Sequence, residues 1–201
     1  ARSTGTAFSS LRSPPINGED TVIIVGLGPV GLSGLLVAKA MGARVVGIEP
    51  RSERRELADH LGADETLDAG RSDLTEAVRG LTRGEGASHA FETSGSAQGR
   101  ATAVDNLGLG GRAVFVGFGC SDKTLNLSEI IGRQLTLMGS FVMPIHGYWD
   151  LIDFLIQHEI NLESMVTHRF PLEQASEAFR LFDLGGTGKV ILEWPDPARE
   201  A

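Results

Sequence analysis

The 201-residue sequence predicts an α/β fold, a doubly wound parallel sheet with helices on both faces. Three observations support this prediction. Short apolar, β-branched segments alternate with segments of helical periodicity along most of the chain. The β-branched segments are apolar throughout, as is typical of strands buried on both faces. Turn residues, many of them glycine, separate the segments. Right-handed crossovers make such an alternation a doubly wound sheet.

The elements follow in order from these patterns. The predicted strands are Thr21–Val25, Arg44–Ile48, Glu65–Leu67, Ala87–Phe91, Arg112–Val116 and Leu135–Ser140. The predicted helices, in which apolar residues recur at helical spacing, are Thr4–Arg12, Val30–Met41, Ser52–Leu61, Asp73–Thr82, Ala97–Leu107 and Tyr148–His158. A connector containing Pro14 and Pro15 separates the first helix from the first strand.

The pattern changes after Asn161. The stretch MVTHRFPLEQASEAFRLFDLGGTGKVILEW predicts strand, helix and strand, with the helix opening near Glu173 and the last strand, Lys189–Trp194, ending at Pro195. We therefore expect three parts. Residues 1–20 form a helix and connector, residues 21–160 form the sheet domain, and residues 161–201 form a C-terminal strand-helix-strand return segment.

Composition narrows the possible partners and compartments. The net charge of −8 argues against a broad surface for nucleic acid or anionic membrane. No apolar stretch is long enough to span a bilayer, and the N-terminus lacks a signal core. Cys120 is the one cysteine, which excludes an internal disulfide and fits a reducing compartment. These features predict a cytoplasmic protein without nucleic-acid or membrane partners.

A glycine-rich motif carries the strongest functional signal. Gly26, Gly28 and Gly31 form G-x-G-x-x-G directly after a predicted strand and at the opening of a helix. The first glycine permits the turn, the second lets a pyrophosphate approach the backbone, and the third lets the helix pack on the strand. Pro29 presets φ at the helix start, where free N–H groups attract phosphate. The alternative is a structural glycine turn in another α/β protein.

An acid follows at the end of the second strand. Glu49 lies 18 residues beyond the last glycine of the motif, close to the spacing expected of the residue that binds the ribose hydroxyls. It would repel a 2′-phosphate, so it favours NAD over NADP. Arg51, Arg54 and Arg55 leave an alternative, because arginines near this strand end either hold a 2′-phosphate or form a solvated helix face.

Two further strand ends fall where ligands bind in open parallel sheets. We expect Thr93 and Ser94, in FETSG, to border the adenosine half of a dinucleotide. In VGFG, Val116 and Phe118, which flank Gly117, are expected to border the nicotinamide. Ordinary turn chemistry is the alternative for each of these residues.

The motifs GLGPVGL, LGADETLD, FETSG, GGRAVFVGFG and GTGKVIL, in this order, resemble the medium-chain dehydrogenase/reductase family of zinc-type alcohol, polyol and threonine dehydrogenases. The resemblance covers nearly the whole chain. It implies the Rossmann cofactor-binding domain and the C-terminal return segment of that family, without most of the N-terminal catalytic domain that carries zinc. Residues 1–20 then correspond to the linking helix and connector.

The resemblance also implies roles for single residues. Val30 packs against the nicotinamide, and backbone groups around Val116, Ser140 and Val142 hold its carboxamide. Lys189 faces the pyrophosphate, and a strand-edge charge that discourages aggregation is the alternative. The edge strand within residues 135–142 pairs in a homo-oligomer.

We expect no metal site within this chain. Arg2 occupies a position where zinc members commonly carry a cysteine or an acid, and a guanidinium cannot ligate zinc. Either the first residues depart from the usual register, or this relative binds no catalytic zinc. The histidines form no H-x-x-x-H pair and no cluster with Cys120, so zinc is expected only in the missing catalytic domain, if at all.

The predicted function is that of an NAD(H)-binding domain that positions nicotinamide for hydride transfer with a small alcohol or carbonyl substrate. Catalytic residues remain unassigned, and Tyr148 receives no role. The alternatives are a non-catalytic NAD(P)-binding regulatory module, an NADP-dependent reductase and a methyltransferase using S-adenosylmethionine. The complete glycine motif disfavours the methyltransferase, because its cofactor lacks a pyrophosphate.

Overall fold

The structure, a computed structural model, describes residues 2–13, 15–119 and 126–194. Six strands form one sheet in the order β3-β2-β1-β4-β5-β6, and every neighbouring pair is parallel. The strands are β1 Thr21–Val25, β2 Arg44–Ile48, β3 Glu65–Leu67, β4 Ala87–Glu92, β5 Leu107–Phe115 and β6 Thr136–Gly139. The predicted doubly wound α/β sheet is confirmed.

Helices connect the strands and cover both faces of the sheet. They are α1 Arg2–Leu11, α2 Pro29–Ala40, α3 Ser52–His60, α4 Leu74–Leu81, α5 Ala97–Asp105, α6 Leu127–Gly132, α7 Tyr148–Gln157 and α8 Ala175–Leu184. Short 3-10 turns at Ile145–Gly147, Leu162–Met165 and Leu172–Gln174 precede α7, the next strand and α8. Within the described residues, no helix combines the length and apolarity needed to cross a bilayer.

The core lies on both sides of the sheet. Val22 and Ile24 of β1 pack with Phe8 of α1 in one cluster, whereas Ile23 packs with Val78 of α4 in the other. Successive strand side chains point to opposite faces, so a strand covered on both sides must be apolar at every position. This explains the unbroken apolar runs from which the strands were predicted.

The largest departure from the predicted elements is at β5. This strand begins at Leu107, five residues before its predicted start at Arg112, and the helix before it ends at Asp105. The early start depends on close backbone contact, because a Cβ added to Gly86, at φ +93°, would lie 2.8 Å from the Gly108 nitrogen. Glycine alone tolerates this approach, and periodicity does not reveal it.

One helix was not predicted. Helix α6 has six residues and begins after Asn126, whose side chain accepts a hydrogen bond from the Glu129 amide at 3.3 Å. Fewer than two turns give too few positions for an apolar period to register. The predicted residues Pro14, Cys120 and Pro195 lie outside the described residues.

The C-terminal segment forms the predicted strand-helix-strand unit. Strands β7 Val166–Pro171 and β8 Lys189–Glu193 pair in parallel as a separate two-stranded sheet, with α8 between them. Helix α8 ends at Gly185 in the left-handed conformation, at φ +82°. The domain bounds at residues 20 and 160 stay a prediction.

A buried histidine in β4 gives the fold a pH dependence. His89 lies with its Nδ1 3.4 Å from Asp20 Oδ1. Burial lowers the pKa of His89 below its ordinary 6.5, the Asp20 carboxylate opposes this by raising the pKa, and Arg112 lowers it further. The folded state therefore favours neutral imidazole. Stability that is present above about pH 6.5 is lost as the pH falls through the folded pKa, because the unfolded chain binds the proton more readily.

We expect His89→Gln to reduce this loss of stability at low pH. Urea unfolding at about pH 7.5 and about pH 5.5 should show a smaller drop in unfolding free energy for the variant than for the unchanged chain. The exposed His60 supplies a matched control, and His60→Gln should leave the drop as it is. An equal drop in all three proteins would contradict the prediction.

Candidate functional site

The fold itself requires two of the three motif glycines. Gly26 has φ +92°, and an added Cβ would lie 2.9 Å from the Ser94 nitrogen. A Cβ on Gly31 would lie only 1.9 Å from the Gly26 carbonyl oxygen. Neither position accepts a side chain without moving backbone. These glycines therefore shape the turn between β1 and α2, as the motif predicts.

Gly28 differs from both. Its φ of −73° and ψ of −175° are open to any residue, and an added Cβ would meet only Arg54 Nη1, at 3.9 Å. The fold does not require glycine here. A ligand that comes close to the backbone does require it, which is the role the motif assigns to this position. The turn therefore fits a dinucleotide diphosphate.

The start of α2 offers donors to such a ligand. Among the described residues, no side chain caps the helix at Gly28, and Pro29 occupies the first turn without an N–H. The first backbone bond is donated by Leu32 to the Gly28 carbonyl, at 2.9 Å. Amides of a first helical turn have no partner within the helix, so the amides of Val30 and Gly31 are suited to bind an anion.

Glu49 lies beneath the glycine-rich turn. The side chain is almost fully buried, and its Oε2 accepts a hydrogen bond from the Leu27 amide at 2.8 Å. Oε1 accepts from the Arg51 amide at 3.2 Å, and Arg54 Nη1 lies 3.8 Å from Oε2. The carboxylate therefore braces the turn in addition to standing at the predicted ribose position. Sequence reasoning missed this second role.

Two of the three arginines after β2 lie against the return segment, and the third contacts the residue just after that strand. Arg54 Nε donates to the Thr187 carbonyl at 3.2 Å, and a Cβ added to Gly185 would lie 2.8 Å from Arg51 Nε. Arg55 donates to the Glu49 carbonyl at 2.7 Å. Arg54 thus bonds α3 to the return segment and Arg51 lies beside Gly185, whereas the alternative was a solvated helix face.

Nine of the predicted residues line one cavity of about 430 Å³, a volume within the usual range of ligand sites. They come from α2 and from the ends of β4, β5, β6 and the return segment, and are Pro29, Val30, Thr93, Val116, Gly117, Phe118, Ser140, Val142 and Lys189. The structure thus brings together residues up to 160 positions apart, since Pro29 and Lys189 share this cavity.

Helix α1 contributes wall residues that sequence reasoning missed. Arg2, Ser3 and Thr6 line the same cavity, and Ser3 Oγ lies 3.3 Å from Lys189 Nζ. The signal available was the linking-helix resemblance, which places this helix between two domains but identifies no contact. Lys189 is therefore directed to the cavity by a neighbour 186 residues away in sequence.

Thr93 and Ser94 occupy different environments. Thr93 lines the cavity and donates its hydroxyl to the Gly26 carbonyl at 2.7 Å. Ser94 does not line that cavity and donates its hydroxyl to Glu92 Oε1 at 2.6 Å. Val142, also in the wall, has φ +52°, a strained value for a β-branched residue that often marks a functional position.

The described residues do not fit a zinc ion. Nowhere in ranges 2–13, 15–119 and 126–194 do three or more His, Cys, Asp or Glu side chains lie together as a metal site requires. Arg2 borders the cavity and cannot serve as a ligand. We therefore derive no chemistry from zinc in this part of the chain.

Comparison with known proteins agrees with this geometry. Residues 29–157 match the family model described as zinc-binding dehydrogenase. L-threonine 3-dehydrogenase of Saccharopolyspora erythraea is 34% identical over 191 residues, covering 94% of this chain and 55% of that protein. An uncharacterized zinc-type alcohol dehydrogenase-like protein of Escherichia coli K12 is 33% identical over 96% of this chain and 55% of its own length. The chain thus spans about half the length of these curated relatives.

Solved structures give the same result. The alcohol dehydrogenase of Thermotoga maritima superposes with a TM-score of 0.87 and 27% identity, covering 96% of this chain and 55% of that one. The alcohol dehydrogenase from Thermus sp. ATN1 has a TM-score of 0.85 and 30% identity, over 96% and 58% of the two chains. Both the sheet and the return segment have counterparts in these proteins, since nearly the whole chain is covered.

Proposed function

The chain belongs to the zinc-binding dehydrogenase family, and we propose that it is the NAD(H)-binding part of an alcohol or polyol dehydrogenase-like oxidoreductase. The observation that carries this proposal is Gly28, a motif glycine that the fold itself does not require. A diphosphate bound against the turn explains that glycine. The relatives named as alcohol and threonine dehydrogenases support an alcohol or carbonyl substrate for the whole enzyme.

Each part of the cofactor then has a counterpart in the chain. The amides of the first turn of α2 bind the diphosphate, and Lys189 adds a positive charge. Glu49 accepts hydrogen bonds from the ribose hydroxyls. Val30 and Val116 form apolar walls for the nicotinamide, and backbone groups of Ser140 and Val142 hold its carboxamide. Bound NAD(H) supplies the hydride chemistry, while these residues orient the ring and exclude water.

We propose NAD rather than NADP as the cofactor. The Glu49 carboxylate is buried and hydrogen-bonded to the backbone of the glycine-rich turn, so it cannot move away from an arriving 2′-phosphate. Both charges would then lie close together in a partly dehydrated site, where repulsion is weakly screened. Arg54 Nε is hydrogen-bonded to the Thr187 carbonyl of the return segment, which limits the use of Arg54 for a 2′-phosphate.

Titration of the 201-residue chain tests the proposal. We expect NADH to bind, with a gain in nicotinamide fluorescence, and NADPH to bind at least about tenfold more weakly. S-adenosylmethionine should not bind, since it lacks the diphosphate. The chain alone is not expected to oxidise alcohols at a measurable rate. Absence of NADH binding, or stronger binding of NADPH, would contradict the corresponding part of the proposal.

Two further proposals concern assembly and location. Strand β6 is an edge of the six-stranded sheet, and an exposed edge must be paired or covered. We propose that residues 135–142 pair with a second copy of the chain, and a monomeric mass by sedimentation would oppose this.

A cytoplasmic location is proposed from the single cysteine and the acidic composition. Recovery from the secreted fraction would rule it out.

A further inference from the structure

Glu92, the last residue of β4, is a fully buried acid that the proposed function leaves without a role. Its Oε1 accepts three hydrogen bonds: from the Ser94 amide at 2.8 Å, the Ser94 hydroxyl at 2.6 Å and the Gly95 amide at 2.9 Å. A carboxylate is costly to bury unless donors surround it. The three donors come from the turn that follows β4, so the acid holds the shape of that turn.

The same residue contacts the segment that follows β5. The Glu92 carbonyl accepts hydrogen bonds from the Val116 amide at 2.9 Å and the Gly117 amide at 3.2 Å. Its Oε2, which has no hydrogen-bond partner among the described residues, packs beside Gly117, where an added Cβ would lie 2.7 Å away. The backbone and the side chain of Glu92 therefore both adjoin the 116–118 segment.

The turn at residues 93–95 and the segment at 117–119 touch through their backbones. A Cβ on Gly95 would lie 2.2 Å from the Phe118 carbonyl oxygen, and one on Gly119 would lie 1.8 Å from the Gly95 oxygen. Two backbones packed so closely that neither glycine has space for a Cβ leave no room for one segment to shift alone. A change in the turn at 93–95 must therefore move residues 117–119.

The other side of this turn reaches the glycine-rich motif. The Thr93 hydroxyl donates to the Gly26 carbonyl at 2.7 Å, and the Thr93 amide donates to the Val25 carbonyl at 2.9 Å. One short turn thus connects the motif at the diphosphate position with the 116–118 segment at the nicotinamide position. Glu92 is the side chain that holds this turn from within.

We propose that Glu92 is a positioning residue. By holding the 93–95 turn against residues 117–119, it sets the distance between the glycine-rich turn and the wall of the nicotinamide pocket. Glu92 lines neither the diphosphate position nor the cavity, so it acts through the backbone of its neighbours. This inference rests on the proposed binding of NAD(H).

The test compares NADH with ADP-ribose, which keeps the adenosine, diphosphate and ribose but lacks nicotinamide. Calorimetric titration of the unchanged chain should show tighter binding of NADH. In Glu92→Ala, the ratio of the two affinities should fall about tenfold, because the nicotinamide wall moves while the glycine-rich turn keeps its own contacts. Glu92→Gln keeps one acceptor oxygen, so we expect a smaller fall in the same direction. Asn161→Ala removes the side-chain cap of the 3-10 turn at Leu162–Met165, away from this network, and should leave the ratio unchanged.

The outcomes distinguish the proposed binding of NAD(H) from the positioning role of Glu92. If the unchanged chain binds neither ligand, the proposed function fails. If it binds both and the ratio is the same in Glu92→Ala, only the positioning role is overturned. Should Glu92→Ala not fold, as judged by circular dichroism, Glu92→Gln decides by the same ratio. The inference would also be overturned if both variants failed to fold, or if the unchanged chain bound the two ligands equally well. In either case Glu92 would have no specific effect on nicotinamide binding.

Discussion

Gly28→Ala is expected to abolish tight NADH binding while leaving the fold intact. The backbone at Gly28 is extended, and an added methyl group meets only Arg54 Nη1 at 3.9 Å. The loss of stability should stay below about 1 kcal/mol, the difference between glycine and alanine at a helix N-cap. The methyl group would occupy the space through which a diphosphate reaches the α2 amides. Loss of one or two charge-assisted hydrogen bonds lowers the affinity about 100-fold.

Two other glycines provide the comparison. Gly31→Ala places a Cβ 1.9 Å from the Gly26 carbonyl oxygen, so it should lose both stability and binding. Gly80→Ala, on α4, meets nothing within 4 Å, so it should leave NADH binding unchanged and should not lower the stability. Thermal unfolding and NADH titration measure the two properties separately. If Gly28→Ala bound NADH as well as the unchanged chain does, the diphosphate would not lie against this turn.

Glu49→Gln is expected to shift cofactor selectivity toward NADPH by about 100-fold. A unit charge about 5 Å from a phosphate, at an effective dielectric constant of about 20, contributes roughly 3 kcal/mol of repulsion. Removing it relieves that repulsion, and the ribose hydroxyls of NADH lose an anionic acceptor. The glutamine oxygen can still accept from the Leu27 amide, which Glu49 does at 2.8 Å, so the contact with the glycine-rich turn is kept. The hydrogen bond from the Arg51 amide is lost, because the glutamine nitrogen cannot accept it.

The measurement is the ratio of the NADH and NADPH dissociation constants at constant ionic strength, because salt screens such repulsion. Glu53→Gln, on the exposed face of α3, removes the same charge outside the site and should leave the ratio almost unchanged. An equal loss of affinity for both cofactors in Glu49→Gln would mean that the carboxylate only supports the turn. It would then have no direct part in choosing the cofactor.

The distance in sequence between contacting residues explains which site residues could be predicted. The glycine motif and Glu49 were found because each occupies a defined place beside a strand end, and strand ends follow from local apolar patterns. The bracing of Leu27 by Glu49 was not found, because it depends on how the turn folds over β2. Glu92 was missed for a similar reason, since two of its three donors are backbone amides, which leave no mark in the residue pattern.

The arginines after β2 also make a contact that the local sequence pattern does not predict. Their sequence allowed either a 2′-phosphate site or a solvated helix face. The structure instead places Arg54 against the Thr187 carbonyl, 133 residues away. No local pattern encodes such a contact, because it requires the return segment to pack against α3.

The sequence by itself determined the order and type of nearly all elements, the parallel doubly wound class and the position of the glycine-rich turn. These features depend on side-chain period and on φ values open only to glycine, and both are local properties. Only the tertiary structure decided where β5 begins, which wall residues α1 adds, and how Glu49, Glu92 and Lys189 are held. Those outcomes depend on contacts between residues far apart in sequence, such as Ser3 and Lys189, which exist only once the layers have packed.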